Sequence, residues 1–281
     1  MNILITGARG MLGSCVKDIL IGHHMYLTDY YELDVSDYKQ VMKYKDYEID
    51  YIFHLAAETN LEFCEEHYKQ CYKHNTIGTH HMTQLARVKN IPIVYISTAG
   101  VFSGHSEMYF DNSKPNPINH YGMSKFYGEQ AVRGWEKHYI FRAGWMFGGG
   151  KDKDHKFVSL IMKQLENEVI FAIDDNIGCP TYTRDLMSTI KEAVVDNPIL
   201  YGTYNCCGGG IASRYDVAKE IVSLTRSNAK VIPVNSDYFK SDFPVKRPQY
   251  ECLDNDTLNR YGKNKMRGWR VALQEYLEER W

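Results

Sequence analysis

The chain has 281 residues, 44% of them hydrophobic and 24% charged, which is the balance of a globular protein with a sizeable core. Its formal net charge of −2 provides no basic surface for nucleic acid or for an anionic membrane. No apolar run approaches the roughly 20 residues of a membrane span. Seven irregularly spaced cysteines in so long a chain point to a reducing compartment and not to a disulfide framework. The first strand candidate starts at Asn2, leaving no room for a signal peptide, so the expected location is the cytoplasm.

In chain order, NILIT (2–6), MYLT (25–28), DYIFHL (50–55), IPIVYIS (91–97) and HYIFRA (138–143) read as strands. Helical patterns lie between them, clearest over 79–89 and 125–135. Strands that are apolar on both faces and separated by helices predict a parallel sheet covered on each side. The expected fold class is therefore α/β: a Rossmann-like, doubly wound parallel sheet with a smaller C-terminal α/β substrate-binding lobe. Beyond Gly150 come a charged loop (151–155), a helix from Phe157 to Asn167, the strand VIFAID and a helix from Asp185 to Val195. The strand GTYNCCG (202–208), the amphipathic helix RYDVAKEIVSLT and a helix over the last dozen residues complete the chain. This organisation predicts a dinucleotide-binding domain over 1–150 and a mainly substrate-binding lobe over 151–281. Elements within about 185–206 are candidates to rejoin the first sheet.

GARGMLG (Gly7–Gly13) follows the first strand directly with the spacing G-x-x-G-x-x-G and is expected to open a helix. Residues without Cβ allow a sharp turn and the close approach of a pyrophosphate, and a helix N-terminus offers free N–H groups. Gly7, Arg9, Gly10, Met11, Leu12 and Gly13 are thus candidates to hold a dinucleotide. Asp29 lies about 20 residues beyond the loop, the usual place for an acid that binds the adenosine ribose. Arg9 is instead suited to the 2′-phosphate of NADP, so NADP(H) and NAD(H) both stay open. Asp34 and Val35 are further cofactor-side candidates.

HYGMSK (120–125) sets Tyr121 and Lys125 four apart, on one face of a helix. A free tyrosine has a pKa of about 10, and a nearby ammonium favours its ionised form. Thr98 ends the fourth strand and can orient a substrate oxygen. The expectation is a carbonyl-reducing site with Tyr121 as acid, Lys125 as its electrostatic tuner and Thr98 as orienter, the roles implied by the family resemblance given next. Taken alone, the Tyr–Lys spacing is also that of a surface pair; the glycine loop and the Thr-bearing strand upstream favour the site.

With GARGMLG, HLAAETN (54–60), NTIGT (75–79), STAGVF (97–102), NHYGMSKFYGE (119–129), FRAGWMFGGG (141–150), GCPTYTRDL (178–186) and KRPQYECLD (246–254), nearly the whole chain resembles the extended short-chain dehydrogenase/reductase family. Within that family it is most similar to the dTDP-4-dehydrorhamnose reductase branch. The resemblance implies Thr98, Tyr121 and Lys125 as catalytic residues, Leu55, Ala56 and Ala57 along the cofactor, and Thr59 near the nicotinamide ribose. It further implies Val101, Phe102 and Trp145 on the substrate side and Arg247 near the nucleotide diphosphate. The implied activity is NAD(P)H-dependent reduction of a nucleotide-linked 4-keto-6-deoxysugar, dTDP-linked, as in dTDP-L-rhamnose biosynthesis, by an enzyme that forms a homodimer. The alternatives are reduction of another nucleotide 4-keto sugar, or a non-catalytic NADP-binding regulatory subunit of the same fold.

The chain departs from the branch where Ala99-Gly100 replace Asp-Tyr, Ala143-Gly144 replace Thr-Ser and Glu251 replaces serine. Dehydratase relatives carry an acid pair after the catalytic threonine, and epimerase relatives need an extra acid–base residue; Ala99-Gly100 provide neither, which favours reduction. No metal site is expected. Cys64, His67, Cys71 and His74 on one helix would span roughly 15 Å, too far for one zinc ion. Cys206-Cys207 read as buried and Asp174-Asp175 as a solvated turn. The tyrosines between 26 and 51 lack the basic stripe of a nucleic-acid surface.

Overall fold

The computed structural model describes residues 1–281. Strands β1 (Asn2–Thr6), β2 (His24–Thr28), β3 (Tyr51–His54), β4 (Ile93–Thr98) and β5 (His138–Ala143) lie parallel to one another. Their side chains alternate between two cores, as a period of two requires. Ile3, Ile5, Phe53, Val94, Ile96 and Phe141 enter one core, while Leu4, Ile52, Ile93, Tyr95 and Ile140 enter the other. Both faces are buried, which is why these segments read as continuous apolar runs.

After β5 the chain builds a second core. Strand β6 (Trp145–Phe147) pairs with β9 (Pro180–Tyr182), and β7 (Val169–Ile173) pairs with a later strand, β12 (Lys230–Val234). Between them, β8 (Ile177–Gly178) is flanked by β11 (Ala212–Ser213) and β13 (Tyr250–Glu251). Helices Arg214–Thr225 and Trp269–Arg280 cover this part, burying Val217, Ile221, Trp269, Leu273 and Tyr276. Strand β10 (Gly202–Asn205) sits beside β5, giving the six-stranded order β10-β5-β4-β3-β1-β2. Helix Thr183–Ile190 sets Leu186, Met187 and Ile190 into the core that holds Ile3 and Ile5.

Several elements differ from the sequence expectation. The glycine loop opens only a 3₁₀ turn (Gly13–Cys15) and one α-helical turn (Val16–Ile19), because the chain reverses at Gly22, whose φ is +86°. The helix expected over 125–135 runs from His120 to Arg133. Asn119 caps it by accepting the Gly122 N–H at 2.8 Å, so the first turn forms although it lacks the apolar periodicity that marks the rest. The helix expected to reach Asn167 ends at Met162, and that expected over 185–195 starts at Thr183 and finishes in a π-helical turn, Lys191–Asp196.

Helix His120–Arg133 is fixed to the sheet by a buried ion pair. Arg142 on β5 donates from Nε and NH2 to the two oxygens of Glu129, both at 2.8 Å. Ser97 on β4 donates to the same carboxylate at 2.7 Å. Both charged side chains are wholly enclosed. Removing one member leaves the other charge buried and alone. Glu129→Ala is therefore expected to lower unfolding free energy by about 3–5 kcal/mol, read from urea melts; a loss below 1 kcal/mol would contradict this role for the pair.

Candidate active site

The sheet order reverses between β1 and β3, and ligands of such sheets bind in the crevice beyond that point. The loops after these two strands touch. Gly7 has φ +68°, and a Cβ on it would lie 2.7 Å from the Ala56 nitrogen. A Cβ on Gly13 would collide with the Gly7 carbonyl oxygen and with Ala8. The Ala8 N–H donates to Thr28 at 3.1 Å, tying the loop to the end of β2. Beyond the contact runs a groove of about 450 Å³ lined by Gly7, Arg9, Gly10, Asp29, Asp34, Val35 and the stretch Leu55–Ala57. This glycine-walled cradle, with an acid at its far end, fits the diphosphate and adenosine of a dinucleotide. Leu12 and Gly13 face inward, Leu12 into the core and Gly13 under the loop, so they shape the cradle without lining it. Met11 offers its carbonyl to the Ser14 hydroxyl at 2.8 Å and is likewise not part of the lining.

Asn75, fully buried in a π-helical turn (Lys73–Ile77), holds the β3 loop in place. Its Oδ1 accepts the Glu58 N–H at 2.8 Å, while its Nδ2 donates to the Glu58 carbonyl and to Ser124 Oγ, each at 2.9 Å. The loop is thereby registered against the helix that carries Lys125. His54, enclosed between the Thr6 and Thr79 hydroxyls, is held neutral: burial, aided by the nearby Lys125 charge, brings its pKa down to about 3.

Thr98 ends β4 opposite Ala143 of β5. Its hydroxyl oxygen accepts the Gly100 N–H at 3.1 Å. A Cβ on Gly100 would stand 3.4 Å from that oxygen and 3.8 Å from the Tyr121 ring, so Thr98 and Tyr121 flank the same small gap. Gly122 permits the approach, since a Cβ there would strike the Gly100 carbonyl oxygen. Lys125 follows one turn along, buried, with Nζ 4.1 Å over the face of Tyr95. Thr98 and Tyr121 therefore approach each other at the carboxyl end of β4, with Lys125 one helical turn beyond Tyr121.

The electrostatics differ from the simple expectation. Burial raises the Tyr121 phenol above its ordinary range, opposed by a side-chain hydrogen bond with Thr98. Burial also lowers Lys125 to about 7, against the pull of Glu129. In the protein alone, desolvation outweighs any lowering of Tyr121 by Lys125, and the ammonium is directed toward the Tyr95 ring.

A second polar cluster is built by the later part of the chain. Trp145 Nε1–H donates to Glu251 Oε2 at 2.9 Å, and the Arg214 guanidinium stacks 3.7 Å over the same indole. Burial raises the Glu251 carboxyl, opposed by the Arg214 charge and the Trp145 hydrogen bond, and lowers Arg214 to about 10. Arg247 pairs with Glu62 at 2.6 Å. Lys156 donates to both the carbonyl and the hydroxyl of Thr59 at 3.1 Å, joining the second core to the β3 loop. Val101 and Phe102 do not present side chains to the gap, contrary to the expectation. Both are fully buried, and Phe102 stacks on Tyr109 at 4.2 Å. Glu129, Asn75, Arg214 and Lys156 escaped the sequence reading; Glu129 alone left a signal, lying four residues beyond Lys125 on the same helix face.

A parallel sheet with a glycine-walled groove and a Thr–Tyr–Lys set at its carboxyl edge defines an extended short-chain dehydrogenase/reductase. The chain belongs to the family of the RmlD substrate binding domain, whose model matches residues 1–280. It is similar to a dTDP-4-dehydrorhamnose reductase of Clostridium acetobutylicum, at 33% identity over 99% of both chains with a TM-score of 0.92. The Bacillus anthracis dTDP-4-dehydrorhamnose reductase solved in complex with NADP shares 31% identity over 99% of both chains, with a TM-score of 0.91. A dTDP-4-keto-6-deoxy-D-glucose reductase of Streptomyces niveus is 31% identical over 97% of this chain and 95% of its own.

The lowered Lys125 value carries a stability consequence. Between its folded value of about 7 and the ordinary 10.5, the unfolded chain binds the proton that the folded one has lost. This group therefore destabilises the fold fully below pH 7, and the penalty fades as pH rises toward 10.5. Lys125→Met is expected to stabilise the nucleotide-free protein by on the order of 5 kcal/mol at pH 6 and by much less at pH 10. Denaturant melts at the two pH values check the sign; a gain that grew with pH would refute it.

Proposed function

We propose that the protein reduces the carbonyl of a nucleotide-linked 4-keto-6-deoxysugar, using NADH or NADPH, and that its substrate is dTDP-4-dehydrorhamnose. The observation that carries this reading is the approach of Thr98 to Tyr121, with Lys125 one helical turn on, in a sheet that also carries the glycine-walled groove. The names of the relatives support the sugar class. The cytoplasm as its place is supported by seven free, buried cysteines, which a reducing compartment preserves.

When bound along the groove, a reduced dinucleotide supplies the hydride that the carbonyl carbon needs. Gly7, Gly10 and the Leu55–Ala57 stretch would hold it, with Asp29 at the ribose. Thr98 orients the carbonyl oxygen by hydrogen bonding. Tyr121, kept protonated by its raised pKa, gives its proton to that oxygen as negative charge develops there. Lys125 sits one turn away and helps stabilise the phenolate left behind. No acid–base side chain stands at positions 99 and 100, which hold the buried Ala99 and Gly100. Trp145, with Glu251 and Arg214 against it, forms the wall against which the sugar lies.

Dinucleotide oxidation, followed by absorbance on adding dTDP-4-dehydrorhamnose and a panel of other nucleotide 4-keto sugars, tests the reading. Turnover with the first compound is expected. Dinucleotide binding with silence across the whole panel would instead indicate a non-catalytic binding subunit. Tyr121→Phe is expected to lower kcat by about 10²- to 10⁴-fold while dinucleotide affinity stays unchanged; near-full turnover by this variant would remove Tyr121 from the mechanism.

A further inference from the structure

Past the end of β2, residues Asp29–Leu33 fold into a tight turn in which the Glu32 and Leu33 N–H groups donate to the Asp29 carbonyl at 3.0 and 2.9 Å. The turn brings two carboxylates to the adenosine end of the groove. Asp29 accepts the Arg9 N–H through Oδ2 at 2.9 Å and the Tyr30 N–H through Oδ1 at 2.8 Å. Each oxygen keeps a second lone pair, enough to receive a ribose hydroxyl. Glu32 Oε2 accepts the Asp29 N–H at 3.1 Å, so the turn itself helps to place this carboxylate. The same carboxylate meets the Arg9 guanidinium as a fork, NH1 to Oε2 at 3.0 Å and NH2 to Oε1. Arg9 is the only lysine or arginine lining the groove, which it shares with Asp29, Asp34 and Glu58.

The two dinucleotides make opposite demands here. A free 2′-hydroxyl needs an acceptor, which Asp29 provides. A 2′-phosphate brings close to two negative charges and needs a cationic fork. The one fork available is already engaged by Glu32, and Asp29 would face the added charge. We propose that the Asp29–Arg9–Glu32 cluster selects NAD(H) over NADP(H), with Glu32 withholding Arg9 from a 2′-phosphate. The proposal rests on the reading of the groove as a dinucleotide site and decides which dinucleotide that site takes. Arg9 and Glu32 are 58% and 39% exposed, so water and salt screen the pair. Selection is accordingly modest, on the order of tenfold, and not absolute.

The test is fluorescence titration of the full chain with NADH and with NADPH, without sugar and at low salt. The wild type is expected to bind NADH about tenfold more tightly than NADPH, a gap that added salt narrows. Glu32→Gln frees Arg9 and should tighten NADPH by about tenfold while leaving NADH within about threefold. Adding Arg9→Ala to that variant should erase the gain. Equal or tighter NADPH binding by the wild type, or an unchanged ratio in Glu32→Gln, overturns the proposal and leaves the groove reading standing. Failure to bind either dinucleotide overturns both.

Discussion

Everything at the reactive end of this protein is referred to one buried carboxylate. Glu129 lies two turns beyond Tyr121 and one beyond Lys125 on the same helix, and it is held by Arg142 of β5 and Ser97 of β4. Ser97 is the neighbour of Thr98, and Arg142 is the neighbour of Ala143, which pairs with Thr98 across the two strands. One group therefore sets the helix against both strands in all directions at once. Arg142 extends the arrangement by lying 5.0 Å from the Phe102 ring and donating to the Asp111 carbonyl at 3.2 Å. A fully enclosed pair is an expensive way to gain stability but an effective way to specify one geometry. Here that geometry is the placement of the helix bearing Tyr121 against the strand that ends at Thr98.

The opposite wall is registered by polar contacts between distant parts of the chain. Asn119, having capped the Tyr121 helix, also donates from Nδ2 to the Lys246 carbonyl at 2.9 Å. Lys156 reaches Thr59, and Trp145 reaches Glu251. Each bond joins the sheet edge, or the loops that leave it, to the second core. The cleft is thus bounded by side chains that report on one another's position.

The sheet was legible in the sequence because each strand is buried on both faces and so reads as an apolar run of the right length. GARGMLG was legible because its chemistry is local: Gly7 lets the β1 and β3 loops meet, and Gly13 lets the loop fold back on itself. Helix geometry puts Tyr121 and Lys125 side by side, but it took the glycine loop and the Thr-bearing strand upstream to single the pair out. What the sequence could not tell was what each side chain faces. The Lys125 ammonium lies over the Tyr95 ring of β4, and burial is the largest influence on the Tyr121 phenol, neither of which a local pattern shows. Val101 and Phe102 were placed on the substrate side by the family resemblance, and their side chains lie in a core with Tyr109 and Cys252 after the turn that follows β4. The Lys156–Thr59 contact spans 97 residues, beyond the reach of any local pattern.

The path of the chain also bears on how the protein is made. Strand β10 closes the outer side of β5, but it lies at residues 202–205, after much of the second core. Until that stretch emerges during synthesis, β5 has a bare edge, and the core around Ile3 and Ile5 lacks Leu186, Met187 and Ile190. A bare edge invites strand addition by other chains. The nascent protein is consequently exposed to mispairing between the emergence of β5, which ends at Ala143, and that of β10, which starts at Gly202, and a fragment ending near Gly150 would inherit that exposure permanently. The core that holds Ile3 and Ile5 draws residues from both sides of the glycine run at 148–150.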